Sequence, residues 1–196
     1  VYLPAQDPDT RLGGLGVYDL QDPSYPKLIK SLDMELFGPR QIVRSGSYLY
    51  VLGQAEQPRI AIIDISTPLA PLLVSTLDLP DLASRLAVVG TTLYATCDGW
   101  ECNSLTVVDA TDPERPFMTS QWQLPMEVQA ATSQGDTVLL LARDNVILAL
   151  DVNNPLQPKL VGTIRLPGRF AQLTPIGNVI YVAAYDAGLI TLTLEP

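Results

Sequence analysis

The sequence predicts an all-β fold, a β-propeller of four-stranded antiparallel blades, and three sets of landmarks in one register predict it. The first is a strand that ends in Asp and runs into a proline-bearing turn, as in Ile60-Ala61-Ile62-Ile63-Asp64 followed by Pro68 and Pro71. The Asp recurs at Asp19, Asp64, Asp109 and Asp151, in steps of 45, 45 and 42 residues, a period that suits one propeller blade. The second is Gly46, Gly90, Gly135 and Gly177, which lie 27, 26, 26 and 26 residues after the preceding Asp and each precede a short apolar strand. The third is Leu-Pro at 79–80, 124–125 and 166–167, placed 15 and 16 residues after its Asp each time.

Each element follows from this register. Val1-Tyr2-Leu3 reads as a strand in mid-repeat, and residues 4–14, rich in turn formers, read as a long hairpin loop. The first full blade is predicted at 40–45, 48–52, 59–65 and 72–77, inner strand first. The second is predicted at 84–89, 92–96, 105–110 and 117–123, and the third at 127–133, 137–142, 146–152 and 159–165. A last repeat supplies 169–176, 179–184 and 189–194. Each segment is enriched in β-branched and aromatic residues and bounded by Gly, Pro or Asp. The domain expectation is one propeller over 1–196, with a partial blade 1–38, blades 39–78, 79–123 and 124–165, and a partial blade 166–196. The Pro-x-x-Pro pairs end one strand and start the next, because proline donates nothing to a ladder and restricts its predecessor. The landmark Asp residues read as turn acceptors. With three complete blades and two incomplete ones, the chain reads as an excerpt of a larger ring. Its open edges are expected to make edge-strand contacts with the remainder.

Composition narrows the function classes. Twelve basic and 21 acidic residues give a net charge of −9, which repels nucleic-acid backbones and anionic membranes. No apolar run approaches the roughly 20 residues needed to cross a bilayer, so membrane insertion is not expected. The chain has no His, which removes Ser-His-Asp and Cys-His nucleophile systems and His-ligated metals. No cofactor and no metal site is expected. The two Cys, Cys97 and Cys102, bracket Asp98-Gly99-Trp100-Glu101. Their spacing does not suit a soft-metal pair; a disulfide clamping a hairpin loop is the expectation, two unpaired thiols the alternative. A disulfide implies an extracellular, cell-surface or periplasmic protein.

The Asp-x-x-x-Pro-x-x-Pro element, together with Gly-Asn-Val-Ile-Tyr-Val-Ala-Ala-Tyr-Asp-Ala-Gly-Leu-Ile at 177–190, resembles the LVIVD-repeat proteins. The resemblance implies a β-propeller, usually in bacterial or archaeal secreted or surface proteins, mostly without an assigned activity. Where the family often has Asp after Tyr-Val-Ala, this chain has Ala184, and the other blades have Gly53, Thr96 or Cys97, and Arg143. That departure weakens any idea of an acidic residue repeated in every blade, and the resemblance brings no catalytic motif.

In propellers the outer-to-inner and second-to-third loops gather at one mouth of the channel; 33–39 reads as the first outer-to-inner connector here. Arg40, Arg85 and Arg169 fall near inner-strand starts, where they would hold a carboxylate or sulfate bidentately, or pair with acids such as Asp33, Asp81 or Glu127. Trp100, at the tip of the Cys-bounded loop, and Tyr185 with Asp186 are further contact candidates, aromatic and Arg side chains being enriched in interface hot spots. Two functions follow: a non-catalytic binding or scaffolding module for a protein or small extracellular ligand, or a lactone or glycan hydrolase using Asp or Glu at the mouth. A glycosidase would need two carboxylates about 5–9 Å apart.

Overall fold

The computed structural model describes residues 1–6, 12–54, 56–80, 83–97, 102–155 and 157–193. Over these the chain forms β1 (Tyr2–Gln6), β2 (Leu12–Asp19), β3 (Lys27–Ser45), β4 (Tyr48–Gln54), β5 (Pro58–Asp64) and β6 (Leu72–Asp78), joined in that order into one antiparallel sheet. A second sheet contains β7 (Ala83–Val89), β8 (Thr92–Cys97), β9 (Ser104–Asp109) and β10 (Phe117–Gln123). A third contains β11 (Val128–Gln134), β12 (Thr137–Ala142), β13 (Val146–Asp151) and β14 (Lys159–Arg165). The last holds β15 (Phe170–Ile176), β16 (Val179–Ala184) and β17 (Gly188–Thr193). The only helical element among the described residues is a 3₁₀ turn, Arg143–Asn145. The chain divides into two units: Val1–Ser84 with Ala110–Phe117, and Arg85–Asp109 with Met118–Pro196.

The landmarks have a common mechanical role. Gly46, Gly90, Gly135 and Gly177 take φ of +54°, +58°, +55° and +61°, the left-handed backbone a tight hairpin between first and second strands requires and only glycine adopts freely. The Asp at the end of the third strand caps the next turn: Asp64 Oδ1 accepts from the Ser66 amide at 2.7 Å and Asp151 Oδ1 from the Asn153 amide at 2.9 Å. The Leu of each Leu-Pro is buried, and its amide donates back to the entry of the third strand: Leu79 to Pro58 O (2.8 Å), Leu124 to Asn103 O (2.6 Å), Leu166 to Asn145 O (3.0 Å). One sequence period thus repeats one set of hydrogen bonds.

In the first unit the structure departs from the expected loops. Residues 33–39, read as a connector, lie inside β3, which pairs with β2 through its first part and with β4 through its second. The cause is a period-2 pattern in Leu32, Met34 and Leu36; Met34 and Leu36 are fully buried in a core with Leu15, Leu49, Val51, Ala61 and Ile63. Gly38, at φ +58°, marks the change of partner. Residues 4–6 and 12–14, read as part of a long loop, belong to β1 and β2. A Cβ at Gly14 would lie 2.8 Å from Leu32 O, so this glycine permits close backbone approach rather than a turn.

In the second unit three sheets pack face to face, and the third sheet is sandwiched. Val138, Leu140 and Ala142 of β12 join Ala87, Tyr94, Leu105 and Val107 in one core, while Leu139 and Leu141 join Leu173, Ile180 and Val182 in another. A strand buried on both faces reads as a continuous apolar run, as Val138-Leu139-Leu140-Leu141 does. Full burial of each such side chain contributes about 1.5–3 kcal/mol. Neighbouring inner strands are also stapled by side chains, Ser133 Oγ donating to Val88 O at 2.6 Å and Gln134 Nε2 to Gly177 O at 2.7 Å.

Candidate binding pocket

The second unit carries a cavity of about 400 Å³ at the end of the third and fourth sheets where the inner strands begin. Three connections build it. Gln129 comes from the start of β11; Arg143, Asp144 and Asn145 form the turn between β12 and β13; Arg169 immediately precedes β15 and Phe170 opens it, and Tyr185 starts the turn between β16 and β17. Phe170 is buried, whereas Tyr185 is 75% exposed.

The walls are fixed by backbone hydrogen bonds. The Arg143 amide donates to Glu127 O at 2.9 Å, the Leu166 amide to Asn145 O at 3.0 Å, and the Tyr185 amide to Arg169 O at 2.7 Å. Asp144 and Asn145 take φ of +55° and +61°, a conformation that short polar side chains tolerate better than other non-glycine residues. Two consecutive left-handed residues cost energy, and such strain is commonly found at functional sites.

The charges fall into two sets. Arg143 Nε lies 2.5 Å from Glu127 Oε2, and the Glu127 side chain is only 12% exposed, so this pair is largely self-neutralising. Arg169 and Asp144 differ: among the described residues neither side chain has a hydrogen-bond or salt-bridge partner, and no Arg169 side-chain nitrogen comes within 4.0 Å of a carboxylate oxygen. Arg85 is engaged, its Nε donating to Gln129 O.

The structure therefore brings together Arg169 and Tyr185 of the sequence-derived candidates, and joins Arg85 to them through the Gln129 backbone. Asp186 is exposed in the same turn as Tyr185 but does not line the cavity. Arg40 is an exposed residue of β3 in the first unit. Trp100 and Asp81 lie outside the described residues. Glu127 takes Arg143 as its partner rather than Arg85 or Arg169. Asp144, Asn145 and Phe170 were not singled out from sequence; an Asp-Asn pair between two apolar strands was the available signal, since those residues favour left-handed turns.

Cys97 and Cys102 form a disulfide, with Cα atoms 5.8 Å apart. The Ser104 hydroxyl lies 3.4 Å from Cys97 Sγ. Among the described residues, no three His, Cys, Asp or Glu side chains are grouped to hold a metal ion, and no helix is long and apolar enough to cross a membrane.

Antiparallel sheets that repeat with one sequence period, each with a Gly turn between its inner and second strands and the first three closed by a Leu-Pro, define the chain as a β-propeller repeat protein. More particularly, residues 40–78 match the LVIVD repeat model. No curated protein matches the chain. Among solved structures it is similar to a glutaminyl cyclase from Myxococcus xanthus, with 14% identity and a TM-score of 0.58 over 82% of this chain and 67% of that one. It is also similar to BamB from Moraxella catarrhalis, with 14% identity and a TM-score of 0.65 over 98% of this chain. Aligned with BamB, the chain spans 57% of that protein's length. At such identity the likeness is one of fold.

Proposed function

We propose that the chain is a non-catalytic binding module, a propeller domain spanning 1–196 that captures a ligand or partner outside the reducing cytosol. The pocket around Arg169 and Tyr185 is its contact site. The observation that carries this reading is the pairing pattern: Glu127 is held by Arg143, whereas Arg169 is left to meet a ligand on walls pinned by backbone hydrogen bonds. Preorganised walls reduce the ordering cost of binding, and an exposed Tyr beside an Arg is the composition of an interface hot spot. A hydrolase would instead need a second carboxylate poised opposite the first; here the acids are Glu127, engaged by Arg143, and Asp144, exposed on the rim. The similar glutaminyl cyclase is by its name an enzyme, but fold does not fix chemistry. The Cys97–Cys102 bridge supports a secreted, surface or periplasmic location. Arg85 and Asp186 of the second unit, Arg40 of the first, and Trp100 are proposed as further contact residues.

The test is calorimetric titration of the 196-residue chain with a panel of amino acids, short peptides, sugars and lactones, with mass spectrometry of each mixture. Binding without turnover, weakened at least tenfold by Tyr185→Ala and Arg169→Ala, is expected. Turnover of any member, or binding indifferent to both substitutions, would overturn the reading.

A further inference from the structure

We infer that the ligand of this pocket is a zwitterion of about dipeptide size, its anionic group on Arg169 and its cationic group on Asp144. The inference rests on the binding-module reading and adds a ligand class to it. Both charged residues line the same cavity, yet they neither pair with each other nor with any other described residue. Two opposite charges sharing a small cavity would gain by bridging. Both sit on anchored connectors: the turn bearing Asp144 is held through the Asn145 carbonyl to the Leu166 amide, and Arg169 through its carbonyl to the Tyr185 amide. A molecule carrying both signs would engage both side chains without opening an existing ion pair.

The remaining surface sets the size and the body of the ligand. A cavity of about 400 Å³ lies in the range that accepts small organic ligands, ~300–1,000 Å³. Phe170 and the Tyr185 ring supply apolar area, and Gln129 and Asn145 supply amide groups suited to a peptide bond. A simple anion would leave Asp144 repelling it; a simple cation would face Arg169. Arg143 adds little net charge because Glu127 neutralises it.

The probes are alanyl-phenylalanine, its N-acetyl form, its C-terminal amide, and free phenylalanine, titrated into the 196-residue chain by calorimetry. The unblocked dipeptide is expected to bind at least tenfold more tightly than either blocked form. Arg169→Gln should abolish the preference for the free acid over the amide, and Asp144→Asn the preference for the free amine over the acetyl form. Asn suits the left-handed backbone at 144, and retained melting temperature will confirm that both variants fold. Equal binding of blocked and unblocked forms, preferences that survive the substitutions, or no binding by any of the four overturns the zwitterion assignment. If a blocked form binds and Tyr185→Ala weakens it, the pocket still stands as a binding site and only the ligand class falls. If no compound in the wider panel binds in a Tyr185-dependent way, the binding-module reading falls as well.

Discussion

Replacing Tyr94 by Phe should stabilise the protein, and the gain should grow with alkalinity. Tyr94 is 0% exposed in the core of the second unit, and its hydroxyl has no hydrogen-bond partner among the described residues. A buried polar group left without a partner costs about 1–3 kcal/mol, which Phe recovers while keeping the ring. Burial, and secondarily the negative charge of Asp136, push the Tyr94 hydroxyl up to about 12 from 10.0. The folded protein therefore keeps this proton between pH 10 and 12 while the unfolded chain releases it. Stability falls as pH rises through that window, at about 1.4 kcal/mol per pH unit and hence about 2.7 kcal/mol in all. Tyr94→Phe lacks this term; Tyr50, whose hydroxyl is also raised, by burial and then by Tyr48, contributes equally to both proteins. Urea unfolding at pH 7, 9 and 11 would measure the difference, and tyrosinate absorbance would report ionisation directly. A variant less stable than the parent by more than about 1 kcal/mol at pH 7, or one with the same alkaline slope, would refute the reasoning.

Three further outcomes are expected. Cys97→Ser with Cys102→Ser opens a bridge of sequence separation 5; loop-closure entropy puts the loss at about 2 kcal/mol, or about 4–8 °C in calorimetric melting temperature, and an unchanged melt would contradict it. Glu127→Gln removes the charge facing Arg143 and should cost about 1 kcal/mol in denaturant unfolding at low salt, with a smaller loss at 1 M NaCl; a salt-independent difference would count against an ionic origin. Asp78 is held below its usual carboxylate value of 3.8, chiefly by the hydrogen bond from Arg59 Nε at 2.6 Å. Its stabilising contribution is present above pH 3.8 and disappears as pH falls through the depressed folded value. Asp78→Asn should therefore show a shallower acid limb below pH 3.8 in a pH-melt series, and an identical limb would disprove the coupling.

The blades were legible because one period of hydrogen bonds is one period of sequence. Gly turns, Asp caps and Leu-Pro closures are local features that each repeat writes for itself, so strand positions from residue 40 onward could be read without tertiary information. Residues 12–14 and 33–39 were misread because composition spoke against pattern. Gly13, Gly14 and Asp33 look like turn formers, but the alternation of Leu32, Met34 and Leu36 carried the stronger physical signal, burial of one face. The pocket was half legible. Arg169 and Tyr185 follow from blade geometry, which assigns those connectors to one end of the sheets. The Arg143–Glu127 pair and the absence of a partner for the Asp144 side chain among the described residues depend on side-chain distances across connectors, and no spacing in the chain records them.

The central claim is that the chain meets its ligand at the cavity around Arg169. It is tested most directly by titrating isotopically labelled protein with alanyl-phenylalanine and following amide resonances by NMR. The account predicts saturable shifts concentrated at Gln129, Arg143 to Asn145, Arg169, Phe170 and Tyr185. Shifts centred elsewhere in the chain, or none at millimolar ligand, would contradict it.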